Sequence, residues 1–409
     1  MQCYIDDNLT SSSFLHIHNN SGWLKTVAQY ATGSNNSIQH TNVNLEIDTI
    51  LIALLQNPER TFNFVEQAFF QIWWEQASDL SKSQMRNMVA SGQMQFSNGG
   101  WCMHDESSPS YVDMIDQTSL GHRLIIQEFG VGALPRITVQ HDPFGHSSTQ
   151  ANLLSSQLAG FEGVFFGRID YQDRDLRNNL TALETIWRAS LSTGSSGQTW
   201  ADAHPGYGPP GFLCFDELAC GGNNLIQDDK NVDEYNVDYM VNQTVAYAQQ
   251  MALNYRPDAT TGTYHLLFMM GSDFQYVAAQ GAYMNMDKLI KYVNQGTGTV
   301  HNVNMFYSTP AEYTDARLAA DVTWPITTSD FFPYCDGPHA CWTGYFTSRA
   351  ALKGYIRDSS SVFQASKQIQ FFSGGVADTS NTNPLFRLER AMGVTQHHDS
   401  VSGTSKQRE

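Results

Sequence analysis

The chain has 409 residues, of which 41% are hydrophobic and 12% aromatic. That is enough for a sizeable core and excludes a disordered or collagen-like chain. Lys and Arg number 23 against 40 Asp and Glu, a formal charge of −17. This repels phosphate backbones and argues against general nucleic-acid binding or a basic membrane-surface helix. No window holds 18 consecutive apolar residues, and no signal peptide is visible in Met1–Ser13.

Short apolar runs alternate with helical patterns. His16-Ile17-His18-Asn19-Asn20-Ser21-Gly22-Trp23 is the first polar cluster. Residues two apart on a strand end share a face, so the His-x-His pair is a credible zinc half-site, and the plainer reading is a surface loop. Arg60–Val65 predicts a strand, followed by a helix through Trp73 and Trp74. Gln93–Phe96 predicts a short strand running into Asn98-Gly99-Gly100-Trp101.

Pro135–Gln140 predicts a further strand, ending at His141-Asp142-Pro143-Phe144-Gly145. A carboxylate held at such a turn can ligate a metal, act as a nucleophile, or simply cap the next helix. Gly163–Gly167 and Tyr264–Met270 predict two more strands, with a helix over Val241–Tyr255 between them. Asp273 stands at the mouth of the last strand, where a carboxyl is placed to be a general acid or a helix N-cap. Beyond residue 330 the pattern predicts two long helices, Ala350–Phe372 and Pro384–Gln396. Gln396-His397-His398-Asp399 closes the second one; neighbours on a helix point about 100° apart, so one of the two histidines should face the site.

The strand–helix alternation predicts an α/β domain with a parallel sheet or barrel, and the two last helices the start of a bundle. Cys214/Cys220 and Cys335/Cys341 share a C-x5-C spacing that suits local disulfides rather than a zinc ribbon. Sequons stand at Asn8, Asn19, Asn35, Asn179 and Asn242. Sequons and disulfide loops together point to a glycoprotein of a secretory or lysosomal compartment. The polar clusters offer histidines and a carboxylate for a metal plus a separate acid, which suits zinc-assisted hydrolysis. They do not choose between an amide, an ester and a glycoside.

The chain resembles the retaining α-mannosidases of glycoside hydrolase family 38, in particular their lysosomal branch. The resemblance is carried by Gly22-Trp-Leu-Lys-Thr, Asn98-Gly-Gly-Trp, Asp142-Pro-Phe-Gly-His-Ser, Phe165-Phe-Gly-Arg-Ile-Asp, Met270-Gly-Ser-Asp-Phe, Trp342-Thr-Gly-Tyr-Phe and Gln396-His-His-Asp. It implies a seven-stranded parallel β/α barrel-like catalytic domain over residues 1–325. The start of an α-helical bundle would follow over 326–409, with the family's C-terminal β-sandwich domains absent. Asp142 would be the nucleophile and Asp273 the general acid/base. One zinc ion would be held by His18, Asn20, Asp142 and His398, leaving His16 without a role. Trp23, Phe144, Arg168 and Asp399 would bind mannose. The implied activity is removal of terminal α-mannose from N-glycan oligosaccharides, in the lysosome or another acidic compartment.

Three departures bear on that reading. The family's zinc-loop aspartate is here Asn20, which leaves the ligand uncharged and places a sequon, Asn19-Asn20-Ser21, inside the proposed site. The segment before His16, with Ser11-Ser12-Ser13, lacks the family's apolar first strand. The chain ends soon after His398, which would leave apolar helix faces to be covered by C-terminal domains or a second copy. An inactive, degenerate homologue with weak mannose binding is the alternative reading. A zinc deacetylase on a similar barrel is a more distant one.

Overall fold

A computed structural model describes the chain except residues 1, 6–8, 15, 18, 157–158, 222–223, 297–299, 376–378 and 408–409. For 2–5, 9–14 and 16–17 it describes the backbone alone. The predicted apolar strands form at Phe62–Phe64, Met94–Phe96, Ile137–Gln140, Gly163–Phe166 and Tyr264–Met269. The helix with the two tryptophans spans Gln67–Gln76 and the later one Val237–Ala252. Ala350–Phe372 and Pro384–Thr395 are the two long C-terminal helices.

The strands do not close into one seven-stranded parallel barrel. Among the described residues they form three sheets of four, five and three strands. Two of those sheets are mixed: Gln2–Ile5 runs antiparallel to Val303–Tyr307, and Glu184–Trp187 runs antiparallel to Thr199–Ala203. Between the three-stranded and five-stranded sheets a side chain replaces the ladder. Asn98 donates from Nδ2 to the Val139 carbonyl (2.9 Å) and accepts from the Val139 N–H (2.6 Å), mimicking a paired strand residue. Asn98 and Gly99 both sit in the left-handed region, at φ 57° and 66°, which ends the strand at Phe96. Helix Tyr111–Phe129 then packs so closely that a Cβ on Gly121 would meet the Gly99 carbonyl oxygen.

The serine-rich segment is a strand after all. Leu9–Phe14 lies inside the four-stranded sheet, parallel to Tyr264–Met269 on one side and Val303–Tyr307 on the other. Ser11 is in register with both Leu266 and Met305. Main-chain ladders on both sides hold this strand, so it forms without the apolar pattern that would have announced it.

Inside the five-stranded half a polar group is fully buried. Arg317 Nε donates to Glu184 Oε1 (2.6 Å) and Tyr313 donates to the same oxygen (3.0 Å). Removing one partner leaves an uncompensated charge in a medium that cannot solvate it. Arg317→Met should therefore cost about 3–5 kcal/mol of stability, read as a lower urea midpoint at unchanged slope.

The C-terminal helices dock on the α/β unit. Phe386 packs with Ala68, Trp101, Leu120 and Leu124, and Ile356, Phe363, Met392 and Val401 form a second small core. Val362, Ile369 and Phe372 remain exposed on the outer side of the long helix. No helix among the described residues is long and apolar enough to cross a membrane.

Candidate active site

In parallel α/β architecture, side chains that follow the carboxyl ends of strands meet in one crevice. Asp142 stands two residues beyond Ile137–Gln140 and Arg168 two beyond Gly163–Phe166. The structure brings the two together: Arg168 Nε donates to Asp142 Oδ1 at 3.0 Å, and Nη2 donates to the same oxygen. Burial works against the buried guanidinium, but the Asp142 carboxylate more than offsets it and holds Arg168 firmly ionised.

The other oxygen of Asp142 faces the C-terminal loop. His398 Nε2 lies 2.8 Å from Asp142 Oδ2 and 3.0 Å from Asn20 Oδ1. His398 Nδ1 lies 2.7 Å from the Met103 carbonyl oxygen, which can only accept, so Nδ1 carries the proton there. In the neutral ring the Nε2 lone pair then points at two oxygen acceptors. Three acceptors meeting at one point, with the ring tautomer fixed from behind, is a donor set that fits a divalent cation. His18, the remaining expected ligand, lies outside the described residues. His397, His398 and Asp399 also form a buried group close enough to hold a metal.

The loop that carries Asn19 and Asn20 is anchored by carboxylates that sequence reasoning missed. Asn19 donates from Nδ2 to Glu46 Oε2 and from its backbone N–H to Glu66 Oε2, both at 3.1 Å. Burial pushes the Glu46 carboxyl well above the usual carboxylate range. Asn19 and Ser21 are buried, so the sequon inside the site cannot carry a glycan in the folded chain. The Lys406 N–H donates to the Trp23 carbonyl at 2.9 Å. That bond ties the N-terminal loop to the segment that follows His398 and Asp399.

Asp399 is buried, accepts from Thr404 Oγ1 at 2.5 Å, and stands 3.6 Å from His397 Nε2. Burial, and next the neighbouring His398, push the His397 imidazole down to about 4, so His397 stays neutral. Phe144 presents its ring to His398 (5.8 Å between centroids), and the Arg168 guanidinium lies 5.5 Å from it.

Asp273 is half-buried beyond Tyr264–Met269. The next residue, Phe274, has a left-handed backbone (φ 61°) and stacks on Tyr30 at 4.9 Å. The chain is thereby turned sharply at the strand mouth. Tyr207 is the site residue that sequence reasoning passed over. Its hydroxyl donates to Asp273 Oδ1 at 2.7 Å, and Arg168 lies 4.7 Å from its ring. Burial first, then the Asp142 and Asp273 carboxylates, push the phenol well above its usual range. Tyr207 therefore stays a neutral donor to Asp273. Its loop, His204-Pro-Gly-Tyr207-Gly-Pro-Pro, follows the unpredicted strand Thr199–Ala203. A tyrosine between prolines and glycines was the one available signal. Tyr207→Phe should cut kcat/KM for a glycoside about 10- to 100-fold, with circular dichroism unchanged; full activity would remove Tyr207 from the site's chemistry.

Tyr334 and Trp342 complete the wall. The Arg168 guanidinium lies 5.5 Å from the Tyr334 ring and 4.9 Å from Trp342, and Trp342 packs on Phe144 at 5.1 Å. Both C-x5-C pairs form disulfides, Cys214–Cys220 and Cys335–Cys341.

Comparison with known proteins places this arrangement. The chain is 50% identical over 393 residues to a probable alpha-mannosidase of Arabidopsis thaliana, covering 96% of this chain and 37% of that protein. It is 43% identical to an alpha-mannosidase of Canavalia ensiformis (96% and 38%) and 42% identical to the human lysosomal alpha-mannosidase (96% and 38%). It thus spans under two-fifths of the length of these relatives. In three dimensions it resembles an alpha-mannosidase from Enterococcus faecalis, with TM-score 0.62 and 16% identity over 97% of this chain and 40% of that one. Residues 9–337 match the glycosyl hydrolases family 38 N-terminal domain and residues 340–408 the alpha mannosidase middle domain, so the chain belongs to glycosyl hydrolase family 38.

Proposed function

We propose that this chain is a zinc-dependent, retaining exo-α-mannosidase that removes terminal α-mannose from N-glycan oligosaccharides. The observation that carries the reading is the meeting of Asn20, Asp142 and His398 at one point, with Asp142 also held by Arg168. Asn20, Asp142 and His398, with His18, would hold the zinc. When bound, the metal supplies a Lewis acid that orients sugar hydroxyls. We place the catalytic unit in residues 1–325, and the helical unit in 326–409 contributes His398 and Asp399.

The chain's own residues account for the bond changes. The Asp142 carboxylate attacks the anomeric carbon while Asp273 gives its proton to the leaving oxygen, which produces a glycosyl-enzyme. Asp273 then takes a proton from water, the water attacks the same carbon, and Asp142 is released; two inversions give net retention. Tyr207 fixes one Asp273 oxygen by its hydrogen bond, so the carboxyl is aimed rather than free to rotate. Arg168 fixes Asp142 in the same way. Phe144, Tyr334 and Trp342 exclude water from the reacting face, and Trp23 and Asp399 contribute to sugar binding. Relatives named as lysosomal, together with the two disulfides, support a lysosomal or similarly acidic compartment.

The direct test is release of the aryl group from an aryl α-mannoside at acid pH, with added zinc or with chelator. Release that needs zinc is the expected outcome. No release from folded, soluble chain would favour the degenerate-homologue reading instead.

A further inference from the structure

The wall of the pocket that includes Tyr334 and Trp342 is carried by a short segment closed by an antiparallel bridge between Cys335 and Cys341. Asp336, Pro338, His339, Ala340, Cys341 and Trp342 are all exposed. His339 has a left-handed backbone, φ 62°. Between the two cysteines, the Asp336 N–H donates to the Ala340 carbonyl (3.2 Å) as part of that bridge, and the Ala340 N–H donates to the Gly337 carbonyl (3.1 Å). Apolar burial, the usual restraint on a wall residue, is thus missing from the loop's outer half.

The inner half is anchored well. Cys335 is buried and its carbonyl accepts from the Tyr171 N–H at 2.9 Å, at the start of the helix that follows Arg168. The Tyr334 hydroxyl accepts from Arg168 Nη1 at 3.3 Å. The disulfide Cys335–Cys341 joins this fixed half to the exposed half, immediately before Trp342. Next to it the Trp342 N–H donates to the Tyr334 carbonyl at 2.9 Å. Trp342 is 37% exposed, yet its ring is packed on Phe144, Tyr334 and Arg168 together.

We infer that the Cys335–Cys341 disulfide is a positioning element of the sugar site: it presses Trp342 against Arg168 and Phe144 so that the pocket wall is formed before substrate arrives. A preformed wall acts on binding more than on chemistry, because the indole lies on Arg168 and Phe144 rather than on either carboxylate. The kinetic arm of the test rests on the mannosidase reading; the spectroscopic arm does not.

The test compares the 409-residue chain with Cys335→Ser/Cys341→Ser. For an aryl α-mannoside, KM should rise about five- to tenfold while kcat changes less than about twofold. In a Trp342→Ala background the same cysteine changes should raise KM no further, because the disulfide acts through that indole. Independently, Trp342 emission, taken as the difference between each chain and its Trp342→Phe counterpart, should become about twofold more open to acrylamide quenching. Unchanged KM and unchanged quenching would overturn the inference. So would an effect that adds fully to Trp342→Ala, since the disulfide would then act elsewhere. If the serine pair fails to fold, Cys335→Ala/Cys341→Ala breaks the same bond without adding hydroxyls and is read the same way. A wild-type chain without mannosidase activity whose Trp342 still loosens would sink the proposed function and leave this inference standing.

Discussion

Asp142→Asn should abolish turnover while the chain still folds. The amide has the shape of the carboxylate. Its Oδ1 can still accept from Arg168, and its Nδ2 can donate to the His398 Nε2 lone pair that now faces Oδ2. The packing around position 142 therefore survives. The nucleophilic charge does not, and an amide oxygen is a poor substitute for a carboxylate at an anomeric centre. The expected loss is on the order of 10⁴-fold in kcat. Arg168 also loses its buried counter-charge, so stability should fall by about 1–3 kcal/mol, visible as a lower melting temperature in an otherwise native circular dichroism spectrum. The assay belongs at saturating zinc, because the same substitution weakens the metal site. A variant that turns over at the wild-type rate under those conditions would remove Asp142 from the mechanism, whatever the family resemblance implies.

Asp142 and Asp273 stood out because each follows an apolar run long enough to read as a buried strand, and a polar residue there is conspicuous; Arg168 entered only through the family resemblance. The long helix Ala350–Phe372 was legible to the residue, since its apolar positions hold a helical spacing over many turns. Leu9–Phe14 was not, because its stability comes from main-chain ladders with two neighbours, and serines carry no sign of that. The single barrel was overcalled for a related reason: nothing in Asn98-Gly99-Gly100-Trp101 says that an asparagine side chain will stand in for a ladder between two sheets. Glu46 and Glu66 were invisible as anchors of the Asn19 loop. Glu46 lies on helix Val43–Gln56, whose other charged residue, Asp48, accepts from Trp73 Nε1 at 2.8 Å, and only the fold brings Glu46 to Asn19, 27 residues away in the chain. Tyr207 depended on a strand that had not been anticipated.

Asn20→Asp should tighten zinc binding by about 10- to 100-fold, measured by calorimetry with the metal alone. Of Asn20, Asp142 and His398, Asp142 alone is a carboxylate, so an aspartate at position 20 would add charge directly at the ion. The sign reverses without metal. Two carboxylates near one another in a buried pocket repel, and the metal-free variant should melt below the wild-type chain. Zinc should then raise its melting temperature by more than it raises that of the wild type, because the added stability follows the tighter binding. Asparagine offers something a carboxylate cannot. Turned about its Cβ–Cγ bond, its Nδ2 can donate to His398 Nε2, and the pocket then satisfies itself with no ion present. Such a bond would have to break before zinc binds, which would lower affinity beyond the effect of the missing charge. Equal zinc affinity and equal thermal shifts in the two chains would mean that position 20 does not reach the metal.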